Sequence, residues 1–159
     1  MRLLSKLSLS RQGHPKIAHR FNGGKRTPTM SAVPSGTKER LWPYLGGIAR
    51  ENKMRALKVG GVADHIHILL SLPSTLAISK AVQLIKGNSS KWVHETFPHL
   101  ATFEWQEGYG AFSLSVSGVD ATTAYIENQA EHHLRRTFKE ELKAILNKHG
   151  MEYEDWMLD

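Results

Sequence analysis

The chain has 159 residues, of which 40% are hydrophobic and 23% charged, a length and composition typical of one globular domain with its own core. It contains no cysteine, which excludes disulfides and thiolate-bound metals. No apolar run reaches the roughly 18 residues of a membrane helix, and the N-terminus shows no signal-peptide pattern. We therefore expect a cytoplasmic protein that does not contact a membrane.

The net charge of +6 is distributed unevenly. Residues 1–40 hold nine of the 21 Lys and Arg side chains and one of the 15 acidic ones, which leaves 12 basic and 14 acidic side chains in the remaining 119 residues. A basic segment attached to a nearly neutral domain suits contact with nucleic-acid phosphates, although a solvated tail without a partner has the same composition. Residues 1–36 also lack a hydrophobic period. We predict an irregular basic segment over 1–36 and a folded domain over 37–159.

Hydrophobic periods and turn residues predict the elements of the second part in chain order. They begin with a helix from Thr37 and two strands joined at Gly60 and Gly61, the first over 56–59 and the second formed by Val62 and 65–71. A helix over 78–97 and strand-like stretches at 103–105 and 111–116 follow. The chain then has a helix that begins near Asp120 or Thr122 and runs to about Arg136, and a last helix over 138–149.

This order predicts an α+β fold, a ferredoxin-like sandwich in which a central antiparallel sheet has its helices on one face. The pattern requires one more strand ahead of the first helix, and the first 36 residues show no clear apolar run. The nearest candidate, Ala18–Phe21, is short and charged. The first strand is therefore in doubt, and our hypothesis is that the N-terminal segment is altered.

The segment Asp64-His65-Ile66-His67-Ile68 places two histidines two residues apart in a predicted strand. Alternate side chains of a strand point to the same face, so His65 and His67 project together while the isoleucines enter the core. Two imidazoles on one face are the minimum of a divalent-metal site. Polar strand residues facing solvent or a partner would produce the same pattern.

The segment Tyr125-Ile-Glu-Asn-Gln129 lies on a predicted helix, where residues four apart share a face. Tyrosine forms covalent intermediates when a nearby cation stabilises its phenolate, and a glutamine carbonyl oxygen is a suitable ligand for a hard cation. A half-buried core tyrosine followed by a solvated glutamine is the alternative interpretation.

Together the two segments resemble the single-tyrosine HUH transposases of small bacterial insertion sequences, the REP-associated and IS-type single-strand DNA transposases. The likeness extends to the surrounding stretches Gly60–Pro73, Asn88–Trp92, Trp105–Ser113 and Tyr125–His133, and it covers the chain from about residue 37 to the C-terminus.

The resemblance implies a metal-dependent transposase that cleaves and rejoins single-stranded DNA through a 5′-phosphotyrosine. Tyr125 would be the nucleophile, and His65, His67 and Gln129 would hold one Mg²⁺ or Mn²⁺. The partner would be single-stranded DNA with hairpin ends, and the protein would act as a homodimer, with the tyrosine helix serving its own subunit or the other one.

Further side chains are candidates for DNA contact or for support of the site. Phosphate contacts are assigned to Lys86, Lys91, Arg135 and Arg136, and base stacking to Tyr109 or Phe112. His132 and His133 follow Gln129 by three and four residues, so either could approach the metal; we interpret them as solvated or phosphate-contacting, with metal ligation as the alternative. Asp64 is interpreted as a supporting residue that is not a ligand.

Three rival functions remain. A HUH relaxase or replication initiator shares this chemistry, but such chains are usually larger. A metal-dependent hydrolase would need more carboxylate ligands than these segments supply. The main alternative is a catalytically decayed or domesticated transposase that acts as a DNA-binding regulator.

Overall fold

The computed structural model describes residues 7–10, 36–63, 65–105 and 109–153. Its elements in chain order are β1 (Leu7–Ser10), α1 (Thr37–Glu51), β2 (Arg55–Gly61), β3 (Ile66–Ser71), α2 (Ile78–Thr96), β4 (Ala111–Leu114), α3 (Val119–Glu127), α4 (Gln129–His132) and α5 (Phe138–Lys148). The protein therefore has the predicted α+β fold. Across the described ranges, no helix combines the length and the apolar character that crossing a membrane requires.

The predicted hairpin is present as the antiparallel pair β2–β3, with Arg55 opposite Ser71 and Gly61 opposite Ile66. Its turn follows Gly61 and does not lie at the two glycines as predicted, because Gly60 and Gly61 are paired residues of β2. Gly61 has a φ of +150°, and a Cβ at this position would collide with the carbonyl of His65. The tight connection therefore requires glycine. By ending β2 directly opposite the start of β3, this turn determines where His65 lies.

The N-terminal segment contributes a strand that the sequence did not predict. β1 pairs with β4 in parallel, with Leu7 opposite Ala111, and it also lies next to β3. Not all strand pairs are therefore antiparallel, in contrast to the predicted central sheet. Leu7 and Leu9 alternate with serines, which is the period of a strand, but four residues are too few to distinguish a strand from irregular sequence. The strand forms by pairing with β4, which local sequence does not reveal. Ala18–Phe21 lies outside the described residues.

The main core lies between β3 and the helices α1 and α2. Ile66, Ile68 and Leu70 point from β3 into this core, where they meet the buried faces of both helices. The buried face of α1 holds Leu41, Leu45, Ile48 and Ala49. Because this face is buried along its whole length, α1 continues through Pro43, although an interior proline costs a helix about 3 kcal/mol.

The strand predicted at residues 103–105 is wrong, because Phe103 and Trp105 lie in irregular backbone. Both rings are buried in the main core and contact each other edge to face. The indole N–H of Trp105 donates a hydrogen bond to the Ser89 hydroxyl at 2.8 Å. Their strand-like apolar pattern thus reflects burial and not sheet pairing.

The opposite face of β3 is covered by α3, α4 and α5, so the helices do not lie on one face as predicted. A second, smaller core joins Phe112 of β4 to Leu142, Ile145 and Leu146 of α5. The side chains of His65 and His67 point to this second face, because the alternation of a strand separates them from Ile66 and Ile68.

The long helix predicted to end near Arg136 is divided into α3 and α4. α3 begins at Val119, ahead of the two expected capping residues, and ends at Glu127; Asn128 separates it from α4 with φ −90° and ψ 17°. The last helix, α5, agrees with its prediction and begins with a capping box between Thr137 and Glu140.

Candidate functional site

Two buried histidines form the base of the site. His65 and His67 are both 0% exposed, and their ring centroids lie 4.9 Å apart at an angle of 83°. β3 places them on the face that α3, α4 and α5 cover. Imidazoles that are held inside a protein need polar partners, and these partners come from three different helices.

Gln129, the first residue of α4, is one of these partners. Its side chain is 1% exposed, and its Oε1 lies 3.2 Å from Nε2 of His65. The amide nitrogen of Gln129 donates a hydrogen bond to Oε1 of Glu141 at 3.3 Å. This bond fixes the orientation of the amide, so its carbonyl oxygen faces the histidines.

Tyr125 lies near the C-terminal end of α3, at the edge of the same site. Its ring is half-buried and makes edge contacts with His67 at a centroid distance of 5.7 Å and with His132 at 5.3 Å. The structure therefore brings together all four residues that the sequence singled out for catalysis, even though a helix break separates Tyr125 from Gln129. Their chemical roles remain predictions.

Glu141 of α5 is a member of the site that the sequence analysis missed. Its carboxylate is 2% exposed and lies 3.1 Å from Nε2 of His67 and 3.3 Å from Nε2 of His65. Burial on its own raises the pKa of this carboxyl, but hydrogen bonds and charge interactions with the two histidines lower the pKa to about 2. Glu141 is therefore an anion at neutral pH.

A sequence signal for Glu141 does exist. It falls on the apolar face of α5, three residues after Phe138 and four before Ile145, where a solvated acid does not belong. An ionisable residue at a core position indicates a buried partner of opposite charge or a metal.

His133 also belongs to the site, contrary to its interpretation as a solvated or phosphate-contacting residue. Its Nε2 donates a hydrogen bond to Oε2 of Glu141 at 2.8 Å, and its ring lies 4.5 Å from that of His65. His132 contacts Tyr125 instead. Asp64 lies outside the described residues.

The donor set of the site suits a divalent metal ion. One ligand atom each of His65, His67 and Glu141 lies within 4.8 Å of the other two, and the carbonyl oxygen of Gln129 is adjacent. Imidazole nitrogens with carboxylate and amide oxygens are suitable ligands for ions such as Mn²⁺ or Mg²⁺. The residues therefore fit a bound ion.

The tyrosine helix is packed closely onto the hairpin that carries the histidines. A Cβ on Gly60 would lie 2.7 Å from both the carbonyl oxygen and Cγ2 of Ile126, so only glycine allows this approach. One residue further along α3, Glu127 forms an ion pair with Lys58 of β2. These contacts set the distance between Tyr125 and His67.

The six candidates for DNA contact occupy different environments. Arg135 and Arg136 are exposed just beyond α4. Lys91 is exposed and pairs with Glu95 at 3.9 Å, whereas Nζ of Lys86 lies 6.0 Å from the ring centroid of Tyr109.

Phe112 does not fit a stacking role. It is 5% exposed and packs in the second core, and its ring lies 4.8 Å from that of His149. An apolar ring at the end of a strand has the same sequence signature whether it is buried or exposed, which is why the sequence did not separate the two cases.

The chain is similar to known transposases. A family model described as "Transposase IS200 like" matches residues 30–129. The transposases for insertion sequence element IS200 of Salmonella typhimurium and Salmonella typhi are each 30% identical to it over 103 residues. The match covers 62% of this chain and 66% of each relative, so it spans just under two thirds of the length of these proteins.

A solved structure of a Deinococcus radiodurans R1 protein, provisionally assigned as a transposase, is 24% identical with a TM-score of 0.48, covering 62% of this chain and 79% of that one. The family model alone matches well over half of the chain, and its range includes the two histidines, Tyr125 and Gln129. The chain belongs to the IS200-like transposase family.

Proposed function

We propose that the protein cleaves and rejoins single-stranded DNA through a covalent 5′-phosphotyrosine on Tyr125. The observation that carries this proposal is the convergence of a half-buried tyrosine with a buried pair of histidines and the carbonyl oxygen of Gln129. Membership of a transposase family supports it, since these four residues lie within the matched range.

Cleavage exchanges one phosphoester for another. The phenolic oxygen of Tyr125 attacks the scissile phosphorus, an O–P bond to the tyrosine forms, and the bond from phosphorus to the 3′ oxygen breaks. The phenol gives up its proton, and the departing 3′ oxygen takes up a proton to become a hydroxyl. A 3′-hydroxyl from another DNA end then attacks the phosphotyrosine, which reseals the strand and restores the tyrosine, so no nucleotide cofactor is consumed.

His65, His67 and Gln129 would hold the divalent ion. A bound Mg²⁺ or Mn²⁺ supplies Lewis-acid polarisation of the phosphate and offsets the charge that develops there. The protein's own contribution is orientation: the backbone of β3 and the Gly60–Ile126 contact hold the phenol next to the histidine pair. A nucleophile that is positioned in advance lowers the entropic part of the barrier.

The DNA partner of this proposal is a single strand with hairpin ends. Arg135 and Arg136 are exposed directly after the segment that carries Gln129 and His133, where phosphates of a bound strand can reach them. The proposal includes a homodimer, as the family resemblance implies.

The test is formation of a covalent adduct. Purified full-length protein is incubated with labelled single-stranded DNA from the flanks of its gene, with Mg²⁺ or with EDTA. We expect a protease-sensitive, slowly migrating band for the wild type with metal, and none for Tyr125→Phe or with EDTA. Tyr44→Phe is the matched control, because Tyr44 is a half-buried tyrosine stacked on Trp92 in α2.

A folded wild type that binds this DNA but forms no adduct would contradict the proposal and favour the regulator. Turnover without an adduct would favour a hydrolase.

A further inference from the structure

We propose that Glu141 of α5 is a direct ligand of the metal ion, so that the ion is held by β3, α4 and α5 together, and that His133 positions this carboxylate. The inference rests on the proposed function only in assuming that a divalent ion binds at the two histidines. It adds a negatively charged ligand from the C-terminal helix.

The distances between the donor atoms are those expected for ligands of one ion. Nε2 of His65 lies 3.2 Å from Oε1 of Gln129 and 3.3 Å from Oε2 of Glu141, and Nε2 of His67 lies 3.1 Å from Oε1 of Glu141. Adjacent ligands of an octahedral ion with bonds of about 2.1 Å are about 3 Å apart. The Glu141 carboxylate is thus as close to the histidines as Gln129 is.

The burial of Glu141 supports its role as a metal ligand. Burying a carboxylate is costly unless charge or metal coordination compensates for it. The capping box sets the register of α5: the hydroxyl of Thr137 accepts from the backbone N–H of Glu140, and the Glu140 carboxylate accepts from the N–H of Thr137 at 2.8 Å. This register leaves Glu140 in solvent and turns Glu141 inward.

His133 holds the carboxylate in place. Its Nε2 donates to Oε2 of Glu141 at 2.8 Å, while Oε1 receives the amide hydrogen bond of Gln129 at 3.3 Å. Each carboxylate oxygen therefore has one protein donor and faces one of the two metal-site histidines. Partners of this kind orient a ligand, and their loss typically weakens metal binding about 10- to 100-fold.

The first experiment measures Mn²⁺ binding to the full-length protein by electron paramagnetic resonance of the free ion. Glu141→Gln keeps the shape of the side chain and removes its charge. We expect at least about a tenfold loss of Mn²⁺ affinity, with an unchanged circular dichroism spectrum. Glu51→Gln, which removes an exposed carboxylate at the end of α1, is the control and should bind Mn²⁺ like the wild type.

A second variant tests the inference even if Glu141→Gln does not fold. Glu141→His replaces the carboxylate with another metal donor. If residue 141 is a ligand, the Co²⁺-loaded variant should bind the ion and show a visible absorption spectrum shifted from that of the Co²⁺-loaded wild type.

The inference is overturned if Glu141→Gln binds Mn²⁺ with wild-type affinity, or if the Co²⁺ spectrum of Glu141→His matches that of the wild type. Either result would leave the proposed function intact, with His65, His67 and Gln129 as ligands. A wild type that binds no divalent ion and yet forms the adduct would instead contradict the metal requirement of the proposed function itself.

Discussion

Glu140 and Glu141 are neighbours in sequence but have opposite environments. Glu140 is exposed, and hydrogen bonds from Thr137 lower its pKa. Glu141 is buried against three imidazoles and stays ionised because of the two at the base of the site. The residue that matters for the site is therefore identified by its position on the helix face and not by its residue type.

The pKa of Glu141 leads to a prediction about stability. The carboxyl has a pKa of about 2 in the folded protein against an ordinary value of 4.5, so the folded state prefers the ionised form. The resulting stabilisation is present above about pH 4.5 and is lost as the pH falls towards 2. This displacement corresponds to about 3 kcal/mol.

The measurement is the free energy of unfolding in urea, with EDTA present, for the wild type and Glu141→Gln. The wild type should lose up to about 3 kcal/mol more than the variant between pH 6 and pH 2.5. Parallel pH dependences for the two proteins would show that the Glu141 carboxylate is not stabilised by its imidazole neighbours.

At the scale of elements, the site depends on how α3 lies against the β2–β3 hairpin. The contact between Gly60 and Ile126 brings the two backbones together, and the Lys58–Glu127 ion pair lies beside it. An exposed ion pair contributes little, so the close backbone approach is the main determinant of the position of Tyr125.

Gly60→Ala should therefore displace α3. The added Cβ would meet backbone, which does not yield easily, and we expect a loss of about 1–3 kcal/mol in the free energy of unfolding together with reduced adduct formation. Gly87→Ala is the matched control: a Cβ there meets nothing within 4 Å, so helix propensity should stabilise the protein by roughly 0.5–1 kcal/mol. Equal effects of the two substitutions on unfolding and on the adduct would contradict this account.

The elements also show how far local sequence predicts this fold. Period-two alternation predicted correctly that His65 and His67 face away from Ile66 and Ile68, and long apolar periods predicted α2 and α5. The strand β1 was missed because it forms by pairing with the distant β4, and the break at Asn128 was also missed.

The candidate site could be predicted in part. Two short segments with recognisable spacing contain the residues His65, His67, Tyr125 and Gln129. Glu141 reaches the histidines through packing of α5 against β3, and no local spacing connects it to them. His133 follows Gln129 by four residues, which placed it near the site, but its hydrogen bond to Glu141 was not predictable from that spacing.

At the scale of the whole molecule, one chain supplies every described residue of the site. His65 precedes β3 and His67 lies in it, Tyr125 lies near the end of α3, and Glu141 comes from α5. If the proposed homodimer keeps this arrangement, each subunit uses its own tyrosine; in the alternative, the tyrosine helix serves the other subunit.

A complementation experiment tests this arrangement. Tyr125→Phe retains the histidine site, and His67→Ala retains the nucleophile. If each subunit uses its own tyrosine, a mixture of the two variants, unfolded and refolded together, should form no more adduct than either variant alone. Restored adduct formation in the mixture would show that the tyrosine helix serves the histidines of the partner subunit.

The central claim is that Tyr125 becomes covalently linked to a 5′ phosphate, and mass spectrometry of the isolated adduct tests it most directly. Wild-type protein is reacted with single-stranded DNA, digested with nuclease and trypsin, and its peptides are sequenced. We predict one modified peptide, with the nucleotide attached to Tyr125 through its 5′ phosphate and a free 3′-hydroxyl on the released strand. A nucleotide on another residue, or a link through a 3′ phosphate, would contradict the proposed chemistry.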